Sequence, residues 1–247
     1  MTRPYEYHWH ADLYRRHRPT YPPELYAWLA GLVRGRHVAW DCATGNGQAA
    51  LGLAVHFTRV VATDTSLEQL RRAYPHERVR YAAATAEAAP LRDASVDLVT
   101  VAQALHWLGH DAFYREVRRV ARRGAVLAAW VYTLFSLDPE VDAVMAHFHH
   151  DVLGAWWPPQ RAHVRGLYRT LPFPFDEIDD PGFVMRPRWT RDDLLAQVST
   201  WSAVARCRAG TGRDPIPLLA ERLCDVWPDE GEVRDVGWPI HARVGRL

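Results

Sequence analysis

Along the first half of the chain, short and mostly apolar runs alternate with stretches in which apolar residues recur every three or four positions. The runs at 38–42, 59–63, 79–83, 96–102 and 125–132 carry several β-branched residues and are short. They predict strands covered on both faces. Residues 48–56, 66–73 and 111–123 have helical spacing, which supplies right-handed crossovers between parallel strands. The first 130 or so residues therefore read as a doubly wound α/β half.

Beyond residue 132 the alternation breaks into a helix-like stretch at 138–153 and a segment rich in Trp, Pro and Arg at 156–175. Such an irregular insertion predicts a lid or substrate-binding surface. A sixth strand is expected at 183–189, a helix opened by a Thr cap and early acids at 190–207, and a last strand at 233–244. The organisation expected is one domain over 1–247, with an N-terminal cap at 1–36 and a lid inserted at 133–180.

Composition narrows the chemistry. The 247 residues carry a formal net charge of +1, which excludes the strong global basic field of a general nucleic-acid binder. All 30 residues of the Lys+Arg count are arginine, so Schiff-base chemistry and a P-loop lysine are excluded. Cys42, Cys207 and Cys224 form no C-x-x-C pair, which argues against a disulfide framework or a cysteine zinc site. The opening residues lack the apolar core of a signal peptide, and the longest apolar run, 124–135, is too short to span a bilayer. A cytoplasmic protein with no membrane partner is expected.

The strongest local feature is Asp41-Cys42-Ala43-Thr44-Gly45-Asn46-Gly47, where an apolar strand enters a glycine turn and then a helix. Glycines there let backbone approach a ligand, and a helix starting near Gly47 offers N–H groups to it. Asn46 is the chain's sole asparagine, a residue that tolerates left-handed backbone. The next strand ends in Asp64, placed to accept the hydroxyls of a ribose. Together these point to an adenosine-type ligand. Gly45-Asn46-Gly47-Gln48-Ala49-Ala50 also satisfies the dinucleotide pattern G-x-G-x-x-G/A. The acid at position 41 suits a ligand bearing an amino group better than a pyrophosphate.

These residues resemble the class I S-adenosylmethionine-dependent methyltransferases, and within them a branch similar to trans-aconitate methyltransferase. The resemblance runs through the acid-x-Gly-x-Gly-x-Gly loop, with Ala43 in place of the first glycine. It continues through Asp64, Ala84-Thr85-Ala86-Glu87 and Gln103-Ala104-Leu105-His106-Trp107. It also takes in the upstream stretch from Tyr14 through Arg18-Pro19-Thr20-Tyr21-Pro22. It implies a Rossmann-like, doubly wound, seven-stranded and mostly parallel sheet with an antiparallel last strand, helices on both faces and an inserted lid. It further implies S-adenosylmethionine held by Tyr14, Arg18, Asp41, Ala43, Gly45, Asn46, Gly47, Asp64, Thr65, Gln69, Thr85, Ala86, Glu87 and Gln103, with Ser66 beside the adenine.

Candidates for the acceptor side are Tyr21, His106, Trp107 and Trp130, with Arg161 and Arg165 as a clamp for a polycarboxylate. His106 is the catalytic candidate, a general base if the acceptor is a hydroxyl. A carboxylate acceptor needs none. Packing is the plainer reading for most of the 11 tryptophans, and His147, His149, His150 and Asp151 share no single helical face. No metal is expected. The arginine pairs read as solvated faces or helix ends, so no nucleic acid is expected.

The expected activity is in-line methyl transfer to a small molecule, a carboxylate or aromatic acceptor, at oxygen, by a monomer or homodimer. An NAD(P)-dependent oxidoreductase and a non-catalytic S-adenosylmethionine-binding protein stay as alternatives.

Overall fold

The computed structural model describes residues 20–247. Its described residues fall into two compact units. One comprises Thr20–Thr133, Ala162–Val184 and Pro239–Leu247, and the other comprises Leu134–Arg161 and Met185–Trp238. The expected insertion at 133–180 thus spans both units, and residues 185–238 join the second.

The first unit is built on a sheet. Strands β1 (Val38–Cys42), β2 (Arg59–Asp64), β3 (Val79–Ala83), β4 (Val96–Ala102) and β5 (Ala121–Tyr132) run parallel in the order 3-2-1-4-5. β6 (Asp176–Ile178), β7 (Phe183–Met185) and β10 (Trp238–Arg246) complete it, with β10 antiparallel to β5 and to β6. Among the described residues the sheet counts eight strands where seven were expected, because β7 adds a second short partner to β10.

Alternation along β1 explains the layers. Trp40 and Cys42 join a buried cluster with Phe113, Val117 and Val120 of helix α4 (His110–Val120), and the Trp40 ring meets Phe113 edge-on at 6.0 Å. Burial pushes the Cys42 thiol up and keeps it inert. Ala39 and Asp41 face the other side. That side carries α1 (Pro23–Leu32) and α2 (Gln48–Ala54), with α3 (Leu67–Arg71) beside β2 and β3. Gly52 lets α1 and α2 close, since a Cβ there would stand 2.1 Å from the Tyr26 ring. α1 is absent from the hydrophobic pattern as read above.

The helix expected at 111–123 ends at Val120, and β5 starts at once. The arginine pair after it is therefore strand, not helix end. Arg122 bonds Asp97 Oδ1 at 2.9 Å, while Asp97 Oδ2 takes the amides of His37 and Val38 at 2.8 and 2.9 Å. One carboxylate thus joins the starts of β1, β4 and β5.

The second unit contains α5 (Pro139–His147), α7 (Arg191–Ser199), α8 (Ser202–Thr211), α9 (Ile216–Val226) and the hairpin-like pair β8 (Arg188–Trp189) and β9 (Arg234–Asp235); α6 (Arg161–Arg165) begins at its boundary. Phe135 meets Trp189 and Trp238 edge-on at 5.2 and 5.1 Å. The strand expected at 183–189 is broken at Pro187, which has no N–H for a ladder. The helix expected at 190–207 starts as foreseen, with a Thr190–Asp193 capping box, but breaks at 200–201. There the Thr200 amide and hydroxyl both turn back on the Gln197 carbonyl. Both amide atoms of the Gln197 side chain, and the Trp227 indole nitrogen, are buried without a hydrogen-bond partner among the described residues. No helix among the described residues is long and apolar enough to cross a membrane.

Candidate functional site

Sequence order reverses between β1 and β4, so the loops leaving β1, β2, β3 and β4 share the carboxyl edge of the sheet on either side of a topological switch point. Ligands of doubly wound sheets bind there. Asp41 through Gly47, Asp64, Thr85 through Glu87, and Gln103 through Trp107 all lie on that edge.

The loop after β1 is held from below. Asp41 is fully buried and accepts from Thr100 Oγ1 at 2.8 Å and from the Thr44 hydroxyl. Burial pushes its carboxyl up to about 6, the charge of Asp64 adding to the shift and the two threonine hydrogen bonds opposing it. Asp41 therefore organises the loop from beneath it. Ala43 (φ 54°), Gly45 (φ 58°) and Gly47 (φ 87°) are all left-handed, so the alanine adopts the backbone of the glycine it replaces. The space beside Gly45 is open among the described residues, where no atom beyond its chain neighbours lies within 4 Å of the place for a Cβ. Asn46 is buried and φ-ordinary, its carbonyl taking the Tyr74 amide at 3.2 Å.

Asp64 crosses to the same loop. Its Oδ2 accepts the Gly45 amide and its Oδ1 the Ser66 amide, each at 2.8 Å. Each oxygen keeps a further lone pair for a ribose hydroxyl. Thr65 is exposed, and the Ser66 hydroxyl caps α3 by accepting from the Gln69 amide at 3.3 Å. Thr85 is exposed, Ala86 is buried, and Glu87 Oε1 accepts the Gly109 amide at 3.3 Å, joining the loops that follow β3 and β4. Gln103 is left-handed (φ 57°) and its side-chain amide donates to the Tyr132 carbonyl at 3.2 Å.

On the acceptor side, His106 lies in a single 3-10 turn, Leu105–Trp107, pinned by the buried Leu105. Its ring is 4.7 Å from that of Trp107, which is 37% exposed. His106 Nδ1 lies 3.0 Å from the Tyr168 hydroxyl. Tyr21 is buried edge-on against Trp130 at 5.4 Å. Trp130 itself is fully buried, its indole nitrogen without a hydrogen-bond partner among the described residues, so it is core and not the wall of an open site.

Arg165 is exposed in the sheet unit, whereas Arg161 belongs to the second unit, where it stacks over Trp157 at 4.6 Å. His147 pairs with Asp151 at 2.8 Å, and His149 packs on Trp157 and Trp201. Tyr14 and Arg18 lie outside the described residues.

Sequence reasoning missed Thr44, Thr100, Tyr81 and Tyr168. Thr100 carried a signal, a hydroxyl within an otherwise apolar stretch of β4. Tyr81 and Tyr168 carried none, because each meets the site through tertiary packing alone.

A family model described as a methyltransferase domain matches residues 40–129. The solved structure of a candidate type II methyltransferase from Anaeromyxobacter dehalogenans is 48% identical, covers 93% of this chain and 97% of its own, and superposes with a TM-score of 0.88. The chain belongs to the class I S-adenosylmethionine-dependent methyltransferases.

A protein of Dictyostelium discoideum named as a candidate methyltransferase is 29% identical over 235 residues, covering 92% of this chain and 89% of its own. A ubiquinone/menaquinone biosynthesis C-methyltransferase of Rubrivivax gelatinosus is 34% identical over 99 residues, 39% of each chain. The residues present fit the methyltransferase cofactor. The left-handed loop leaves space at Gly45, and the Asp64 carboxylate stands at the end of the neighbouring strand.

Proposed function

We propose that this methyltransferase acts on a small molecule and methylates it at oxygen, on a carboxylate or a hydroxyl, by in-line transfer. S-adenosylmethionine, when bound, supplies an electrophilic methyl group, and S-adenosylhomocysteine is the product. The observation that carries the reading is the Asp64 carboxylate bonded at once to the glycine loop and to the turn after β2, a cradle for the ribose. Ala43, Gly45, Asn46 and Gly47 bring loop backbone to the ligand, and Thr65, Gln69, Thr85, Ala86, Glu87 and Gln103 border it, with Asp41 beneath.

His106 and Trp107, at the exit of β4, face the acceptor in this reading, with Tyr21 packed behind. Arg18, Arg161 and Arg165 are the candidates for an anionic acceptor, supported by the trans-aconitate resemblance and by a chain without lysine. Positioning carries most of the catalysis, since holding reacting groups in line removes up to about 7–11 kcal/mol of barrier. The displacement itself calls for no metal ion. We further propose a cytoplasmic monomer or homodimer with no nucleic-acid or membrane partner.

Calorimetric titration of wild type and Asp64→Ala with S-adenosylmethionine, S-adenosylhomocysteine and NAD tests the donor half. Binding of the adenosyl pair, weakened at least tenfold in the variant, is the expected result. Binding of NAD alone would replace the reading with an oxidoreductase.

A further inference from the structure

We propose that the Tyr168 hydroxyl donates to Nδ1 of His106 and so fixes the neutral imidazole with its proton on Nε2. His106 then offers a hydrogen bond to the acceptor instead of removing a proton from it, which selects acceptors whose reacting oxygen is already anionic, carboxylates above all. This inference rests on the methyl-transfer reading above and names its acceptor class.

The geometry begins with the 3.0 Å separation of His106 Nδ1 and Tyr168 Oη, with the two rings inclined at 37° and 5.8 Å apart. The two nitrogens of an imidazole are not independent. The hydrogen bond made by one decides whether the other carries the proton. A phenol hydroxyl is the stronger donor of this pair and an unprotonated imidazole nitrogen the stronger acceptor, as their ordinary pKa values of about 10 and about 6.5 reflect. The hydroxyl therefore gives its hydrogen to Nδ1, and the ring's own proton resides on Nε2.

Tyr168 is held for this task at a cost in backbone energy. It is fully buried and left-handed (φ 61°), directly after Leu167, which is also left-handed (φ 51°). Neither is glycine, so both hold a backbone conformation that side chains disfavour. Strain of this kind persists only where the surroundings over-determine it, and it gathers at functional sites.

The surroundings here are specific. The buried Arg243 of β10 donates through Nη1 to the carbonyls of Tyr168 and Leu171 at 3.0 and 2.7 Å. Its Nε and Nη2 engage Glu177. That guanidinium holds the Glu177 carboxyl below its ordinary value. A residue brought from 62 positions away is thus anchored through its own carbonyl, with its hydroxyl on the His106 ring at the exit of β4.

The acceptor class follows from proton balance. When a carboxylate oxygen forms the new bond to the methyl carbon, the bond from that carbon to its donor breaks. The anion and the donor's positive charge are neutralised together, and no proton is released. Methylating a hydroxyl releases one proton, which needs a base with a free lone pair. An imidazole with its lone pair on Nδ1 engaged by Tyr168 and its proton on Nε2 has none to offer.

The test is nitrogen-15 NMR of the histidine rings in the full chain at about pH 8.5, where a free imidazole is neutral. His106→Ala identifies the His106 signals. The wild type is expected to show a single tautomer, with Nδ1 resonating as the bare nitrogen and Nε2 as the protonated one. Tyr168→Phe should relax this to a mixture of the two. A wild-type ring protonated on Nδ1, or a tautomer unchanged in Tyr168→Phe, would overturn the proposal, and the first would make His106 a base suited to hydroxyls. Because the wild-type spectrum alone reads the tautomer, a variant that fails to fold does not remove the test. Failure of S-adenosylmethionine to bind in the calorimetric titration would sink the methyl-transfer reading while leaving the tautomer result standing.

Discussion

The hydroxyl of Tyr81 lies 2.1 Å from the place a Cβ on Gly47 would occupy. The loop after β1 and the third strand therefore close on each other with no room for a side chain. The Tyr81 hydroxyl is fixed there by donation to the Tyr74 carbonyl at 2.8 Å, and burial pushes its pKa up to about 12. Gly47 is also left-handed, so Gly47→Ala meets both a clash and backbone strain. It should lose about 2–3 kcal/mol in denaturant melts and at least tenfold in S-adenosylmethionine affinity. An unchanged melt with unchanged affinity would show that the loop does not need this approach.

Ala43 makes the opposite case. Its φ of 54° is one that glycine adopts without penalty. Ala43→Gly should relieve the strain and stabilise the protein by about 1 kcal/mol, raising its melting temperature by about 2–4 °C. A lowered melting temperature would mean that the alanine methyl makes contacts worth more than the strain.

Asp41 gives the chain an unusual dependence on pH. Its carboxyl ionises at 3.8 in its ordinary setting and at about 6 when buried in the fold. Between those values the native state holds a proton that the unfolded chain has lost, so this group's contribution falls as pH rises through the window. The loss amounts to about 3 kcal/mol by neutral pH. Asp41→Asn should remove that slope and leave the variant more stable than wild type near pH 7 but not near pH 4. Parallel pH profiles for the two proteins would refute the assignment.

Asp97 supplies a control at the far edge of the sheet. Asp97→Ala strands the amides of His37 and Val38 and the guanidinium of Arg122, and should cost about 2–4 kcal/mol in denaturant melts. Cofactor affinity measured on the folded variant should stay within about twofold of wild type, because the ligand loops occupy the opposite ends of the strands. A large loss of affinity would mean that strain at one end of the sheet reaches the other.

The parallel half of the fold was legible because its information is local. β1 and β4 match the apolar runs residue for residue, since strands covered on both faces leave little choice of boundary; β3, at the sheet edge and buried only at Val79, matches its run as well. The glycine loop and Asp64 were legible because backbone conformation and strand ends leave marks in residue type. Thr200 breaks an apparently continuous helix through a side-chain competition that no periodicity encodes. Tyr168 was invisible for a different reason. Its role depends on an arginine 75 residues further along, and nothing in the intervening sequence announces that meeting.

The buried side chains of Gln197 and Trp227 bear on how the molecule comes apart. Among the described residues no group pairs with the Gln197 amide or the Trp227 indole, and water reaches both most readily once their surroundings loosen. The ladders joining β1 to β2 and β4 gain nothing comparable by opening. Amide protons of α7 and α9 accordingly sit on a lower rung of release than those of the parallel strands. Hydrogen exchange is expected to run faster in the helices around Gln197 than in the sheet that carries the glycine loop.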